Sequence, residues 1–265
     1  MNPQQAIRDV GVLTWRNLIH LRREPLRLSD VTVQPVLFTL LFIYVLGAGI
    51  ALPHGQYIEF AIAGLLAMNL VTSSIGTAVG LSDDLSSGVI DRLRTLPIWR
   101  PAVLVGRSLT DLTCATLCGT IVVLTGLAVG WRPHSDPASV IAGFAIFLLF
   151  SYSLSWVCAC IGLYSRDAES SQGLGLVLLF PLAIVSDALV PTQRMPAVVR
   201  AIADWNPVSA VTAASRHLLG NPNPAAGIHA WPLEHPVLAA VIWSLVLLAV
   251  FAPLATRLYR TKTSD

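Results

Sequence analysis

Six apolar stretches divide this chain: Val31 to Ile50, Ile58 to Leu81, Ala102 to Gly130, Val140 to Leu163, Leu174 to Val190 and Val237 to Thr256. Crossing ~30 Å of hydrocarbon takes roughly 20 residues of helix, so these stretches constrain the fold more than any other feature. They are continuous and do not alternate in polarity over about ten residues, which predicts helices and not barrel strands. Only 12% of the residues are charged, against about 25% in a soluble domain. The expected fold class is all-α, a polytopic membrane protein with six transmembrane helices.

Basic residues orient such a chain, because retained Lys and Arg collect on the cytoplasmic side. With the N-terminus inside, only Arg132, Arg194, Arg200 and Arg216 of the 17 basic residues fall in outer segments. Both termini are therefore expected in the cytoplasm. The net charge of +2 is too small to suggest nucleic acid, and the basic residues read as anchors to membrane lipids. No cleavable signal peptide is evident, since roughly thirty polar-rich residues precede the first apolar block.

Several chemistries lack their parts. Lys262 is the sole lysine, so no G-x-x-x-x-G-K-[ST] phosphate loop exists and the chain cannot hydrolyse ATP alone. No histidine falls in a predicted span, and neither G-x-S-x-G nor H-E-x-x-H occurs. His229, Glu234 and His235 match no strong metal-ligand spacing. Cys114 and Cys118 share a helical face, and with Cys158 and Cys160 they read either as small apolar fillers or, for the first two, as a redox or metal pair.

Between the second and third blocks lies a polar interruption, Asp83 to Pro101, that keeps an apolar stripe at Leu85, Val89, Leu93 and Leu96. Spacings of four, four and three residues predict a short helix at the membrane surface with one face offered to another protein. Ahead of the first block, Asn2 and Pro3 make a plausible helix start, and Ile7, Val10, Thr14, Leu18 and Leu21 share one face, which predicts an interfacial helix over residues 1–30. The second block is rich in small residues, which permits close helix approach. Glu59 and Trp131 are expected at the outer interface.

Within the third block Arg107 and Asp111 stand four residues apart and are expected to face each other, as a structural pair or as a proton relay. The fifth block is short and carries Pro181 and Asp187 before Pro191, a pattern of broken or re-entrant helix. The outer segment 191–236 holds two short apolar runs separated at Asn206-Pro207, which read as half-membrane helices.

This layout resembles the permease subunit of type-2 ABC exporters, and most closely the daunorubicin-resistance (drug and lipid efflux) permease family. The similarity covers nearly the whole chain. It rests on the run from Ser87 to Pro97, which is similar to the family's G-x-x-[ED]-R-L-[RK]-x-L-P motif, and on Asp204-Trp205-Asn206-Pro207 before the last span. The resemblance implies that residues 83–101 form a coupling helix docking on a separate ATPase subunit. Leu85, Val89, Leu93 and Leu96 would pack on that subunit or against the interfacial helix, Gly88 belongs to the motif, and Asp83, Asp84, Asp91, Arg92 and Arg94 would set the polar contacts. Asp187, Pro191, Trp205, Asn206 and Pro207 become outer-gate candidates. No cofactor is expected on this chain, with ATP and Mg held by the partner ATPases, and a second permease copy or homologue is implied. The implied setting is a bacterial plasma membrane, and the implied cargo is an amphipathic drug or lipid. A polysaccharide or glycolipid export permease, or a non-transporting membrane scaffold, stays open.

Overall fold

The computed structural model describes residues 3–47, 57–95, 101–223 and 230–262. Helix α1 (Pro3–Arg23) is separated by Glu24 from α2 (Pro25–Leu41), which continues into a π-helical turn, Phe42–Leu46. Then come α3 (Tyr57–Ser86), α4 (Val89–Arg94), α5 (Ala102–Val129), α6 (Pro137–Tyr164) and α7 (Ala168–Ile184). After a 3-10 turn, Thr192–Arg194, the chain ends with α8 (Ala197–Asp204), α9 (Pro207–Leu219), α10 (Trp231–Glu234) and α11 (Pro236–Lys262). No strand occurs among the described residues. Five helical stretches there are long and apolar enough to cross a membrane: Leu28–Val45, α3, α5, α6 and α11. The chain is a polytopic, all-helical membrane protein.

The bundle is built around α3. Its apolar window is 78% buried, against 17% for those of α2 and α11, so it contacts protein where they face outward. Small side chains let α5, α6, α7 and α9 close around it. The largest cluster joins Phe60, Ile62 and Leu65 of α3 to Phe147 and Phe150 of α6. At the end where α1 docks, here the proximal end, a second cluster gathers Leu13, Leu81, Ile90, Leu104, Trp156 and Tyr259.

Three expectations change in the fold. Helix α7 starts at Ala168, earlier than the expected Leu174, because the Asp167 carboxylate caps it by accepting from the Ser170 N–H at 2.7 Å. It stops at Ile184, so its 17 residues rise only about 25 Å, short of a full crossing. Trp131 is buried, not interfacial, and its Nε1 donates to Asn221 Oδ1 at 3.3 Å. Helix α1 turns Val10 and Leu13 toward α5, where Thr14 Oγ1 donates to the Gly106 carbonyl at 3.3 Å, and leaves Ile7 74% exposed beside Val12 and Trp15. Of the expected face, Val10, Thr14, Leu18 and Leu21 are partly buried, and only Ile7 at its start is exposed. Asn2 lies outside the described residues. Glu59 is half-buried at the opposite, distal end, with His134 Nε2 at 3.9 Å.

Candidate functional site

The proposed docking segment is not one helix. The second span continues through Asp83 and Asp84 to Ser86, and the Ser87 and Gly88 N–H groups then bond back to the Asp83 and Leu85 carbonyls at 2.9 and 3.2 Å. Gly88 sits at φ +68°, a left-handed turn that costs a glycine little. The turn splits the expected stripe: Leu85 lies in the last turn of α3, while Val89 and Leu93 belong to α4 with Asp91, Arg92 and Arg94. Leu85 and Leu93 pack inward on the proximal cluster, and Ile90 is fully enclosed in it. Arg92, Ser86, Ser87 and Thr95 are exposed. Leu85, Ile90 and Leu93 thus hold the segment to its own bundle, on the cluster that includes Val10 and Leu13 of the interfacial helix, with Arg92 and Thr95 turned out. Leu96 lies outside the described residues.

Behind this segment, Asp84 gathers two arginines. Arg16 Nη2 of α1 donates to Asp84 Oδ1 at 2.7 Å, and Arg107 Nη1 of α5 lies 3.7 Å from Asp84 Oδ2. Arg107 Nη2 also donates to the Gly76 carbonyl at 3.2 Å. It reaches across α3 because Gly80 lacks a side chain, since a Cβ there would lie 1.4 Å from Arg107 Nη2. The expected Arg107–Asp111 ion pair is therefore not formed. Spacing on one helix permits that pair, but the long guanidinium finds a better-placed carboxylate on the neighbouring helix. Asp111 Oδ2 instead accepts from Thr77 Oγ1 at 2.5 Å. Beside these groups a cavity of about 530 Å³ runs between α1, α2, α3, α5 and α7, with Asp111, Asn69 and the free thiols of Cys114 and Cys118 on its walls.

The distal end holds a different arrangement. Asp187, in the turn after α7, and Arg216, on α9, are both wholly enclosed, with Arg216 Nη1 2.5 Å from Asp187 Oδ2. Arg216 also donates to the carbonyls of Phe60 at 3.2 Å, Asp187 at 2.7 Å and Ala188 at 3.0 Å, and its Cζ sits 3.8 Å above the Phe60 ring. One side chain thus ties α9, the α7 turn and the start of α3 together. Gly64 makes room for the turn, because a Cβ there would meet the Ala188 oxygen at 1.6 Å. Asn206 caps α9 by accepting from the Val208 N–H at 2.8 Å, with Pro207 in the first turn. Its amide donates to the Leu182 and Val185 carbonyls at 2.7 and 2.6 Å, groups left over where α7 stops. Pro191 is buried, whereas Trp205 is 58% exposed and fills no part of the distal core.

Arg216 is the residue the sequence reading missed as a partner for Asp187. A signal was present: an arginine amid the small and apolar residues of VSAVTAASRHLL has to find a carboxylate or carbonyls when buried. Among the described residues no group of three or more His, Cys, Asp or Glu could hold a metal ion, and His229 lies outside them.

The family model for ABC-2 type transporters matches residues 8–219. A daunorubicin resistance ABC transporter permease protein of Streptomyces coeruleorubidus is 33% identical over 99% of this chain and 90% of its own length. A probable doxorubicin resistance ABC transporter permease protein of Mycobacterium tuberculosis is 26% identical over 94% of this chain and 88% of its own. A putative transport permease of Pyropia yezoensis is 24% identical over 82% and 76% of the two chains.

Proposed function

This chain belongs to the ABC-2 type transporter family, and on that premise we propose that it carries amphipathic drugs or lipids outward as the membrane subunit of an ATP-driven exporter. Separate ABC ATPase subunits bind ATP and Mg and supply the energy, because this chain has no phosphate loop. A second copy or a homologous permease completes the pathway. The setting is a bacterial plasma membrane, with both termini and the proximal end in the cytoplasm, as the distribution of arginines favours.

One observation carries this reading: α3, the most enclosed span, runs without a break to the Gly88 turn and α4, where Arg92 is exposed at the proximal end. A push on α4 is therefore delivered to the helix around which α5, α6, α7 and α9 pack, a rigid lever for shifting a bundle between two packings. Asp84, just before the turn, links the same motion to α1 and α5 through Arg16 and Arg107.

The test uses the chain co-expressed with its ATPase subunit. The purified chain alone has no ATPase activity, and the complex in vesicles moves an amphipathic dye only with ATP. Arg92→Glu, on the exposed face, is expected to lower co-purification and transport at least about tenfold without moving the thermal unfolding of the permease. Normal coupling in that variant removes α4 from the docking surface, and intact association with no ATP-driven transport favours the scaffold reading.

A further inference from the structure

Helix α1 has an outer side that its own bundle leaves uncovered. Ile7, Val12 and Trp15 are between 60% and 74% exposed, and Arg8, Arg22 and Arg23 are exposed with them. At 100° per residue these six side chains fall within one arc of about 160°. Gly11 lies in the same arc, where an added Cβ would meet no atom within 4 Å. The rest of the helix is taken up by protein contacts. Leu13 is enclosed in the proximal cluster, Thr14 Oγ1 donates to the Gly106 carbonyl, and Arg16 Nη2 donates to Asp84.

The charge on the arc has one sign. Asp9 is the sole acidic residue of α1, and it falls outside the arc. Glu24, just after the helix, lies 3.0 Å from His20 Nδ1. In angular order the arc reads Ile7, Arg22, Trp15, Arg8, Val12, Arg23, so apolar and cationic side chains alternate around it. A face made for a protein partner gathers its apolar residues at a centre and its charges at a rim. Alternation instead suits a boundary at which apolar side chains sink into acyl chains while each arginine reaches back to a phosphate.

The depth of α1 agrees. Leu13 and Thr14 rest against Gly106, in the second turn of α5 from its proximal end. The apolar window of the first span opens at Leu28, five residues after Arg23, and extended backbone at Glu24 forms the joint. Five residues of helix rise about 7 Å, roughly the headgroup layer on one side of the hydrocarbon core. The arc therefore meets lipid at the level of its phosphates.

We propose that the outer face of α1 binds anionic phospholipid headgroups of the proximal leaflet, with Arg8, Arg22 and Arg23 on the phosphates and Ile7, Val12 and Trp15 at the acyl boundary. Bound lipid holds α1 against α5 and against Asp84 of α3, so the charge of the leaflet bears on the helix that continues into the Gly88 turn. That last consequence rests on the exporter reading, whereas the lipid contact does not.

The experiment measures backbone hydrogen exchange of the full chain in nanodiscs of phosphatidylcholine, or of equimolar phosphatidylcholine and phosphatidylglycerol. Amides of α1 are expected to exchange at least about fivefold more slowly in the anionic discs, the factor that one arginine near such a surface supplies. The difference should shrink at high salt, and amides in the enclosed part of α6 should not change. The triple variant Arg8→Gln, Arg22→Gln, Arg23→Gln is expected to exchange alike in both discs, and glycerol phosphate added to phosphatidylcholine discs should protect nothing. Equal rates in the wild type, a difference that survives the triple variant, or equal protection by glycerol phosphate each overturn the assignment. So does protection that appears only when the ATPase subunit is added, which would give the face to a protein. Failure here leaves ATP-driven dye transport untouched, whereas a chain that reads lipid charge but never couples to an ATPase refutes the exporter reading alone.

Discussion

Asp187 and Arg216 at the distal end touch no solvent, and the arginine uses its donors on one carboxylate and three carbonyls. Asp84 at the proximal end shares two arginines across longer and partly exposed contacts, and Asp111 nearby keeps an oxygen unpaired in a cavity. The first cluster fixes one arrangement of the turn after α7, because a charge deprived of its partner there has no water to fall back on. The second lies where its charges are partly exposed and water can screen them, so a change of partner there costs less. A transporter needs both kinds, one to hold the distal hairpin on α3 and one to let the proximal helices move.

The sharpest way to break this contrast is Arg216→Met, which strands Asp187 in the core. It is expected to cost about 3–5 kcal/mol, read as loss of folded protein after extraction or as a large fall in thermal unfolding temperature. Adding Asp187→Leu is expected to recover only part of that loss, because the Phe60, Asp187 and Ala188 carbonyls still lack their donor. Full recovery would show that the ion pair alone carries the contact.

Asp84→Asn probes the proximal cluster and is expected to cost only about 1 kcal/mol, since Arg16 is over a third exposed and screened. Its larger effect should fall on ATPase activity coupled to transport, measured in vesicles. A cost as large as that of Arg216→Met would erase the distinction between the two ends.

The smallest effect concerns the start of α7. Hydrogen bonds from the Ser170 backbone N–H hold the Asp167 carboxyl below its usual value. A lowered folded-state pKa gives stability that is present above the unfolded value, about 4, and is lost as the pH falls through the folded one. Hydrogen exchange in the first turn of α7 should therefore quicken below about pH 4, and Asp167→Asn should remove that dependence while keeping the cap.

Much of this molecule was legible because each span is a local property. Runs of apolar residues of bilayer length specify helices wherever they lie, and the short helices on either side of Asn206-Pro207 announced themselves by their turn residues. The absence of a phosphate loop was equally local. At the candidate sites the reading was weaker. The stripe at Leu85, Val89 and Leu93 was visible, but the direction it faces depends on Gly88 and on Ile90, which anchors α4 in the proximal cluster.

The sequence by itself determined the all-helical, membrane-spanning class, the family motifs and the absence of a phosphate-loop motif, since these depend on residues close together in the chain. The tertiary structure alone decided the charge partners. Arg107 could meet Asp111 along its own helix, yet it crosses Gly80 to Asp84, and Asp187 meets an arginine 29 positions away. Pairing between helices follows from how closely their backbones pack, and no spacing along one chain records that distance.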